Sequence, residues 1–337
     1  MTDTVESTGA RPQAVRRGPL AGRLRELALL PAIVALLVAG AFVHPNFLSY
    51  ANLISILGAS AALAMLVLAE SLVLISGKFD LSVESTAGLA PALGALLVLP
   101  VASSGLGAEL PAAVGLLAAV VAGALVGLLN AVLIVRFQLN AFIVTLAMLI
   151  VLRGLHVGLT EGQTLFDMPE VFFAVATTTF LGIPMSVWLA AAAFAVAGLL
   201  LRRHRLGRAL YAIGGNREAA RTAGIRVDRV LLGVYVIAGA LAAVGGLILT
   251  GYVGAISANQ GENLVFTVFA AAVIGGISLD GGRGTMLGAL TGVLLLGVVN
   301  NLLTLAQVSS FWIQAIQGGL ILLALMVARL ASGRGQT

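Results

Sequence analysis

Long apolar runs, separated by short polar or glycine-rich breaks, fill the chain from residue 27 to residue 328. A helix of about 20 mainly apolar residues crosses a bilayer core, and ten runs approach that length. Residues 50–57 are predicted to form a short interfacial piece before the second run, and residues 171–180 are too short to span. The pattern predicts an all-α integral membrane protein with about ten spans. These spans are residues 27–43, 58–76, 83–99, 111–135, 141–159, 184–201, 231–250, 264–279, 285–299 and 311–328.

The composition requires a lipid environment. Of the 337 residues, 60% are hydrophobic and 10% are charged, and the mean hydropathy is +1.08. A soluble domain carries roughly 25% charged residues, so the excess apolar area must face lipid. We expect one transmembrane domain over residues 27–330, with a disordered basic tail at residues 1–26 and a short tail at residues 331–337. No cleavage site of the signal-peptide kind follows the first run.

The positions of the basic residues predict the orientation. If the N-terminus is cytoplasmic and the spans alternate, nearly all of the 19 Lys and Arg residues fall inside, and only Arg153 lies within a span. The inner segments then include Lys78, Arg136, Arg283 and the long polar segment 202–230. This distribution follows the positive-inside bias, so both termini are predicted to be cytoplasmic.

Several classes of function are excluded. The net charge is +5, but the arginines flank apolar runs without the interleaved aromatic residues that bind single strands, so we expect no nucleic-acid partner. There is no cysteine, and the three histidines lack metal-site spacing. No phosphate-binding loop with its lysine occurs. We therefore expect no catalytic residues, no bound metal and no cofactor of the chain's own, and the protein is not predicted to be an enzyme.

Few ionisable residues lie in the spans. Glu70, Glu84 and Arg153 are within or at the ends of apolar runs, where such groups are costly and usually face a cavity or a partner. Glu70 either serves as a coupling carboxylate or makes a hydrogen-bonded contact between helices. Arg153 either contacts the substrate, pairs with a carboxylate or extends towards the interface.

Two polar, glycine-containing breaks interrupt the apolar runs at residues 77–85 and 275–282. Discontinuous helices are tolerated only inside protein or beside a water-filled cavity, and a break in each half is typical of transporters built from repeats. Spans 2–5 and 7–10 would then have inverted topology. The alternative is that each break is an ordinary tight turn.

Glycines spaced four apart, as at Gly123 and Gly127 and again at Gly288 and Gly292, let helix backbones approach closely in lipid. We expect them to serve helix packing within the chain; a seam between two copies is the alternative.

The long polar segment contains a short predicted helix. Asn216 is a plausible N-cap, Glu218 lies in the first turn where the helix dipole favours it, and Gly224 can end the helix in a left-handed conformation. Two turns are too few for an isolated helix, so we expect this helix to dock on another surface.

Together these segments resemble the permease subunits of ATP-binding-cassette importers of the ribose, galactose and xylose type, within the branched-chain amino acid and ribose permease superfamily. The stretches that carry the resemblance are 75–85 (ISGKFDLSVES), 127–154 (GLLNAVLIVRFQLNAFIVTLAMLIVLRG), 207–246 (which begins GRALYAIGGNREAARTAGI) and 273–292 (VIGGISLDGGRGTMLGALTG). The resemblance covers the chain from about Ser49 onward.

The resemblance implies a subunit of the bacterial inner membrane that passes a monosaccharide along the interface with a second permease chain, identical or related. It implies a separate ATPase that binds ATP and a solute-binding protein as partners. The helix after Asn216 would be the coupling helix. The residues implied in ATPase coupling are Gly215, Asn216, Glu218, Ala219, Ala220 and Gly224, and those implied in the pathway are Asp80, Ser82, Glu84, Phe142, Thr145, Gly275 and Gly276.

The chain departs from the family pattern at two positions. Where the family usually has Gly-Gly-Ile-Asp-Leu-Ser-Val-Gly, this chain has Gly-Lys-Phe-Asp-Leu-Ser-Val-Glu. Lys78 and Glu84 therefore add charge beside the first break. A second interpretation, an ion-coupled carrier of a small polar solute, would use Glu70 or Asp80 as its coupling site.

Overall fold

The structure, a computed structural model, describes residues 29–309, 311–319, 322 and 326. The predicted tails, residues 1–26 and 331–337, lie outside the described residues. The ordered elements are α1 (Leu30–Val43), α2 (Tyr50–Ile75), α3 (Val83–Val98), α4 (Ala112–Ala131), α5 (Ala141–Leu159), α6 (Val171–Thr177), α7 (Met185–Arg203), α8 (Arg205–Gly215), α9 (Arg217–Thr222), α10 (Val227–Val253), α11 (Leu264–Ile274) and α12 (Met286–Leu305). A 3₁₀ turn occupies Val101–Ser103, and a π-helical turn, Val132–Arg136, extends α4.

A two-stranded hairpin lies between α6 and α7. Strand β1 (Thr179–Phe180) pairs antiparallel with β2 (Ile183–Pro184), and Phe180 lies opposite Ile183. Residues 311–319, the beginning of the last predicted span, are also helical.

Six helices of the described part are long and apolar enough to cross a bilayer: α2, α4 with its π-helical turn, α5, α7, α10 and α12. The apolar helices α1, α3 and α11 are shorter, with 14, 16 and 11 residues. An all-α membrane protein is therefore confirmed.

The centre of the protein is formed by α2 and α10. More than half of the most apolar stretch of each of these helices is buried inside the protein, whereas less than a third of α4, α5 and α7 is buried. Large side chains such as Leu117, Ile150 and Val196 remain exposed on these outer helices. Because such apolar area cannot face water, it faces lipid or another chain.

Glycines allow pairs of helices to approach within backbone contact, as predicted. A Cβ added to Gly123 would lie 2.3 Å from the carbonyl oxygen of Gly239, and one added to Gly127 would lie 2.0 Å from that of Tyr235. Helix α4 therefore lies directly against the backbone of α10. A Cβ added to Gly292 of α12 would lie 2.1 Å from the carbonyl oxygen of Ala271 in α11. These glycines serve packing within this chain.

One prediction of local structure was wrong, and one helix was not predicted. Residues 50–57 are not a separate interfacial piece but the first turns of α2. Ser49 caps that helix by accepting a hydrogen bond from the Asn52 N–H, and no proline or charged residue interrupts residues 50–57. In the polar segment, α8 precedes the predicted short helix because Leu210 and Ile213 recur at helical spacing and are buried.

Candidate functional site

The first break, residues 76–82, is buried and stabilised by polar side chains. The Asp80 Oδ1 accepts hydrogen bonds from the Ser82 N–H at 3.0 Å and from its hydroxyl at 2.6 Å. Asn130 of α4 donates to the Ser82 hydroxyl oxygen at 2.8 Å, and Glu70 of α2 accepts from the Asp80 N–H at 3.4 Å. Asp80 and Ser82 are only 2% and 1% exposed, so this break is not an exposed turn.

Two titratable residues of this loop lie outside the apolar helices. Burial raises the pKa of the Asp80 carboxyl to about 6, although its hydrogen bonds from Ser82 and Asn130 oppose the shift. Burial, and then the positive charge of Arg217 on α9, lowers the pKa of Lys78. Lys78 therefore lies within electrostatic reach of the predicted coupling helix.

Glu84, the second departure from the family pattern, is part of an ion network. It is 4% exposed; its Oε1 pairs with Arg153 of α5 at 2.8 Å, and its Oε2 accepts from the Val265 N–H in the first turn of α11 at 2.9 Å. Arg153 also pairs with Glu262 at 3.0 Å. Of the alternatives for Arg153, pairing with carboxylates is therefore the one seen. The network joins α3, α5 and the start of α11.

Aromatic side chains join the first break to α5 and to α11. The Phe79 ring contacts the Phe142 ring edge-on, with centroids 6.3 Å apart, and stacks on Phe269 of α11 at 6.0 Å. Phe142 is half-exposed, whereas Thr145, one turn further along α5, is buried and donates its hydroxyl to the Ala141 carbonyl at 2.8 Å. Tyr235 of α10 donates its hydroxyl to the Phe79 carbonyl at 2.9 Å.

The second break begins where α11 ends. Gly275 caps the helix, and Gly276 has a φ of +85°, a conformation that only glycine adopts readily. At Gly275 an added Cβ would lie 2.4 Å from the Gly288 oxygen of α12. The break thus allows α11 and α12 to approach within backbone contact.

The two breaks meet at the end of α8, in a cluster that we call the glycine junction: Gly77, Gly214, Gly281 and Gly282. The Gly282 N–H donates to the Ile75 carbonyl at 2.9 Å. A Cβ on Gly214 would lie 1.9 Å from the same Ile75 oxygen, and one on Gly281 would lie 2.6 Å from the Gly77 Cα. The junction therefore joins α2, the second break and α8 by direct backbone contact.

The predicted coupling helix is α9, and its caps are confirmed. The Asn216 side chain accepts from the Ala219 N–H at 2.9 Å, and Gly224 has a φ of +82°. Glu218 is exposed, with 79% of its side chain accessible. Ala220, by contrast, is 2% exposed; it faces its own protein, where it holds α9 in place and has no surface free for a partner.

The surface against which α9 packs belongs to the same chain. Ala220 packs in a buried cluster with Val135, Ile213, Val227 and Leu231.

Arg217 and Arg221 of α9 lie near one another. They pair with Asp228 at 3.2 Å and 3.4 Å. The charged side of α9 therefore remains at the protein surface.

Sequence reasoning missed several polar residues of the site. Asn130 and Tyr235 lie within apolar spans, and their polar character inside such runs was the available signal. Gln260 is buried and donates to the Ala87 and Gly246 carbonyls at 3.0 and 3.3 Å.

Next to Gln260 lies a polar cavity of about 340 Å³, whose polar lining residues are Ser257, Asn259, Gln260, Glu262, Asn263 and Gln314. In the described part of the chain, no group of three His, Cys, Asp or Glu residues is placed to hold a metal ion.

Comparison with known proteins identifies the family. Residues 52–325 match the family described as branched-chain amino acid transport system / permease component. The ribose import permease protein RbsC of Escherichia coli K12 is 34% identical over 314 residues, which cover 90% of this chain and 94% of the relative. The L-arabinose ABC transporter permease protein AraH of Azospirillum brasilense is 34% identical, covering 84% and 81%.

The autoinducer 2 import system permease protein LsrC of Klebsiella pneumoniae is also 34% identical, covering 90% of this chain and 86% of the relative. No solved structure matches the chain significantly. The chain therefore belongs to the family of branched-chain amino acid transport system permease components, as a multi-pass permease subunit of the bacterial inner membrane.

Proposed function

We propose that this permease subunit carries a monosaccharide, a pentose, hexose or related sugar, into the cell, and that a separate ATPase docked on the segment 202–230 supplies the energy. The proposal rests on two features that occur together. The chain has no phosphate-binding loop, and it presents the capped helix α9 at its surface. Because the chain belongs to a family of import-system permease components and has no nucleotide site of its own, we infer that motion reaches it from an ATPase subunit. No cofactor of the chain's own is needed.

Helix α9 is suited to receive motion from an ATPase because it packs against its own chain and is joined to α8. Its inner side is held by the Ala220 cluster, and Asn216 links it to α8. Helix α8 reaches both breaks, because Gly214 touches Ile75 and the Tyr211 hydroxyl donates to the Gly284 carbonyl at 2.7 Å. A displacement of α9 would therefore reach the breaks through backbone contacts.

For the layout we propose ten spans, with both termini cytoplasmic. The nine apolar helices of the described part, together with helical residues 311–319, fall on the ten apolar runs. The arginines of α8 and α9 then face the cytoplasm, where an ATPase resides. The inverted relation of spans 2–5 and 7–10 stays a prediction.

A sugar is the proposed cargo for two reasons. The names of the relatives include ribose, L-arabinose and autoinducer 2. The polar cavity beside Gln260 offers hydroxyl, amide and carboxylate groups, which are the partners that sugar hydroxyls require.

The pathway would pass the two breaks and α5, with Phe142 as its exposed aromatic surface. Among the proposed pathway residues, Asp80, Ser82, Glu84 and Thr145 are already hydrogen-bonded inside the protein. These groups would become accessible only when the breaks rearrange, as Gly275 and Gly276 at the second break permit.

The proposal includes three protein partners: the ATPase, a solute-binding protein and a second permease chain, identical or related. The exposed apolar surface of α5, with Ile143 at 61% and Ile150 at 64% exposed, is available to lipid or to a second chain. An ion-coupled carrier is not supported, because the relatives are permease proteins of import systems.

The test is uptake by proteoliposomes that contain the permease, the ATPase and the binding protein encoded beside it. Labelled ribose, arabinose and xylose should enter only with ATP, and an uncoupler should have no effect. Glu218→Arg should release the ATPase on purification. Glu161→Arg should retain it, because Glu161 lies between the fifth and sixth predicted spans and therefore in a predicted outer loop. Uptake that needs no ATP and stops with an uncoupler would contradict the proposal.

A further inference from the structure

A cavity of about 620 Å³ opens between α7 and α12, outside the proposed sugar pathway. Its walls are apolar: Leu199 of α7 and Leu287 and Leu290 of α12 line it, and the first two are 53% and 42% exposed. No carboxylate lines the cavity among the described residues, and three polar side chains besides Tyr211 do: Arg202, Arg203 and Thr285.

The depth of the cavity follows from its position on α7. This helix is an apolar span of 19 residues, and Arg202 and Arg203 are its last two residues. Arginines at the end of a span lie at the level of lipid headgroups. The apolar walls, one to three turns earlier on α7, therefore lie at the depth of acyl chains.

The rim of the cavity carries positive charge. Arg203 lines the cavity and is exposed, and its backbone carbonyl oxygen accepts a hydrogen bond from the Arg208 guanidinium of α8 at 3.2 Å. The Arg208 guanidinium therefore lies beside the backbone at the rim and adds to the positive charge near Arg203. Such a basic rim above an apolar cleft between spans is the chemistry that binds an anionic lipid headgroup.

We propose that this cavity is a binding site for one anionic phospholipid of the cytoplasmic leaflet. The lipid phosphate would lie against Arg203, and one acyl chain would lie along Leu199 and Leu287. The assignment of the leaflet rests on the proposed orientation, but the site itself does not. The lipid would also touch Tyr211, the residue that ties α8 to the second break, so it is placed to stabilise the base of the coupling helix.

The test is native mass spectrometry of the delipidated full-length permease after addition of phosphatidylglycerol or phosphatidylcholine. We expect one tightly held phosphatidylglycerol and no comparable phosphatidylcholine. Arg203→Gln should weaken that binding about fivefold, since a basic residue near the headgroup contributes about 1 kcal/mol. Arg136→Gln, which removes an exposed arginine at the end of another span, is the matched control and should leave it unchanged.

Further variants separate the lipid from other occupants. Ala195→Trp, which places a bulky indole in the cavity without changing charge, should also weaken the binding of the tightly held lipid. Equal loss in Arg203→Gln and Arg136→Gln, or full retention in Ala195→Trp, would overturn the proposal. So would competition by glycerol 3-phosphate as strong as that by the lipid, which would indicate a simple anion site. Lipid binding that appears only after deletion of residues 1–26 would make that tail the occupant instead.

Discussion

Gly214→Ala tests the glycine junction by adding a single methyl group. The new Cβ would lie 1.9 Å from the Ile75 oxygen and 2.4 Å from the Gly282 nitrogen, whereas ordinary contact begins at 3.4 Å. The ends of α8 and α2 must therefore separate by roughly 1.5 Å. Overpacking of this kind costs about 1–3 kcal/mol, and the better helix propensity of alanine returns at most about 1 kcal/mol.

The neighbouring Gly215→Ala is the matched control. It makes the same chemical change in the same helical turn, but no atom lies within 4 Å of the added Cβ. The thermal unfolding transition of the purified permease should therefore fall for Gly214→Ala and remain unchanged or rise slightly for Gly215→Ala. In the assembled importer, Gly214→Ala should also reduce the sugar carried per ATP hydrolysed, because the displaced α8 no longer moves both breaks together.

The two outcomes separate packing from coupling. If both variants unfold at the same temperature, α8 does not lie against Ile75 and the junction is wrong. If Gly214→Ala is destabilised but transports with unchanged stoichiometry, the junction is a packing feature only, and the coupling route runs elsewhere.

Three further predictions follow from named contacts. Asn216→Ala should cost about 1 kcal/mol through the lost cap of α9, and hydrogen exchange should show faster exchange in α9 alone. Arg153→Ala should lower the unfolding free energy by about 2 kcal/mol, because Glu84 keeps its buried charge without its arginine; adding Glu84→Gln should restore part of the loss. Gly127→Ala should separate α4 from α10 and lower the unfolding temperature, whereas Gly158→Ala, with no atom within 4 Å of the new Cβ, should not.

The sequence predicted what depends on local pattern. The apolar runs predicted where the apolar helices lie, and the cap at Asn216 and the turn at Gly224 were evident from residue type and spacing. The same holds for the close approach at Gly123 and Gly127, because small residues four apart lie on one helix face.

The sequence did not predict contacts between distant segments. Glu84 and Arg153 are 69 positions apart, and nothing in either neighbourhood specifies the other. The glycine junction likewise joins α2, α8 and the second break, and its geometry depends on how whole helices pack. The interfacial piece at residues 50–57 was a wrong prediction because the helix that starts at the Ser49 cap continues without interruption to Ile75.

The central claim is that motion enters this subunit through α9 on the cytoplasmic side. The chain has no cysteine, so Glu218→Cys carries a single exposed thiol, and Glu161→Cys provides the matching thiol in the predicted outer loop. The most direct measurement is labelling of both variants in intact cells with a membrane-impermeant maleimide. We expect Glu161→Cys to react at once and Glu218→Cys to react only after the membrane is opened; reaction of Glu218→Cys in intact cells would contradict the account.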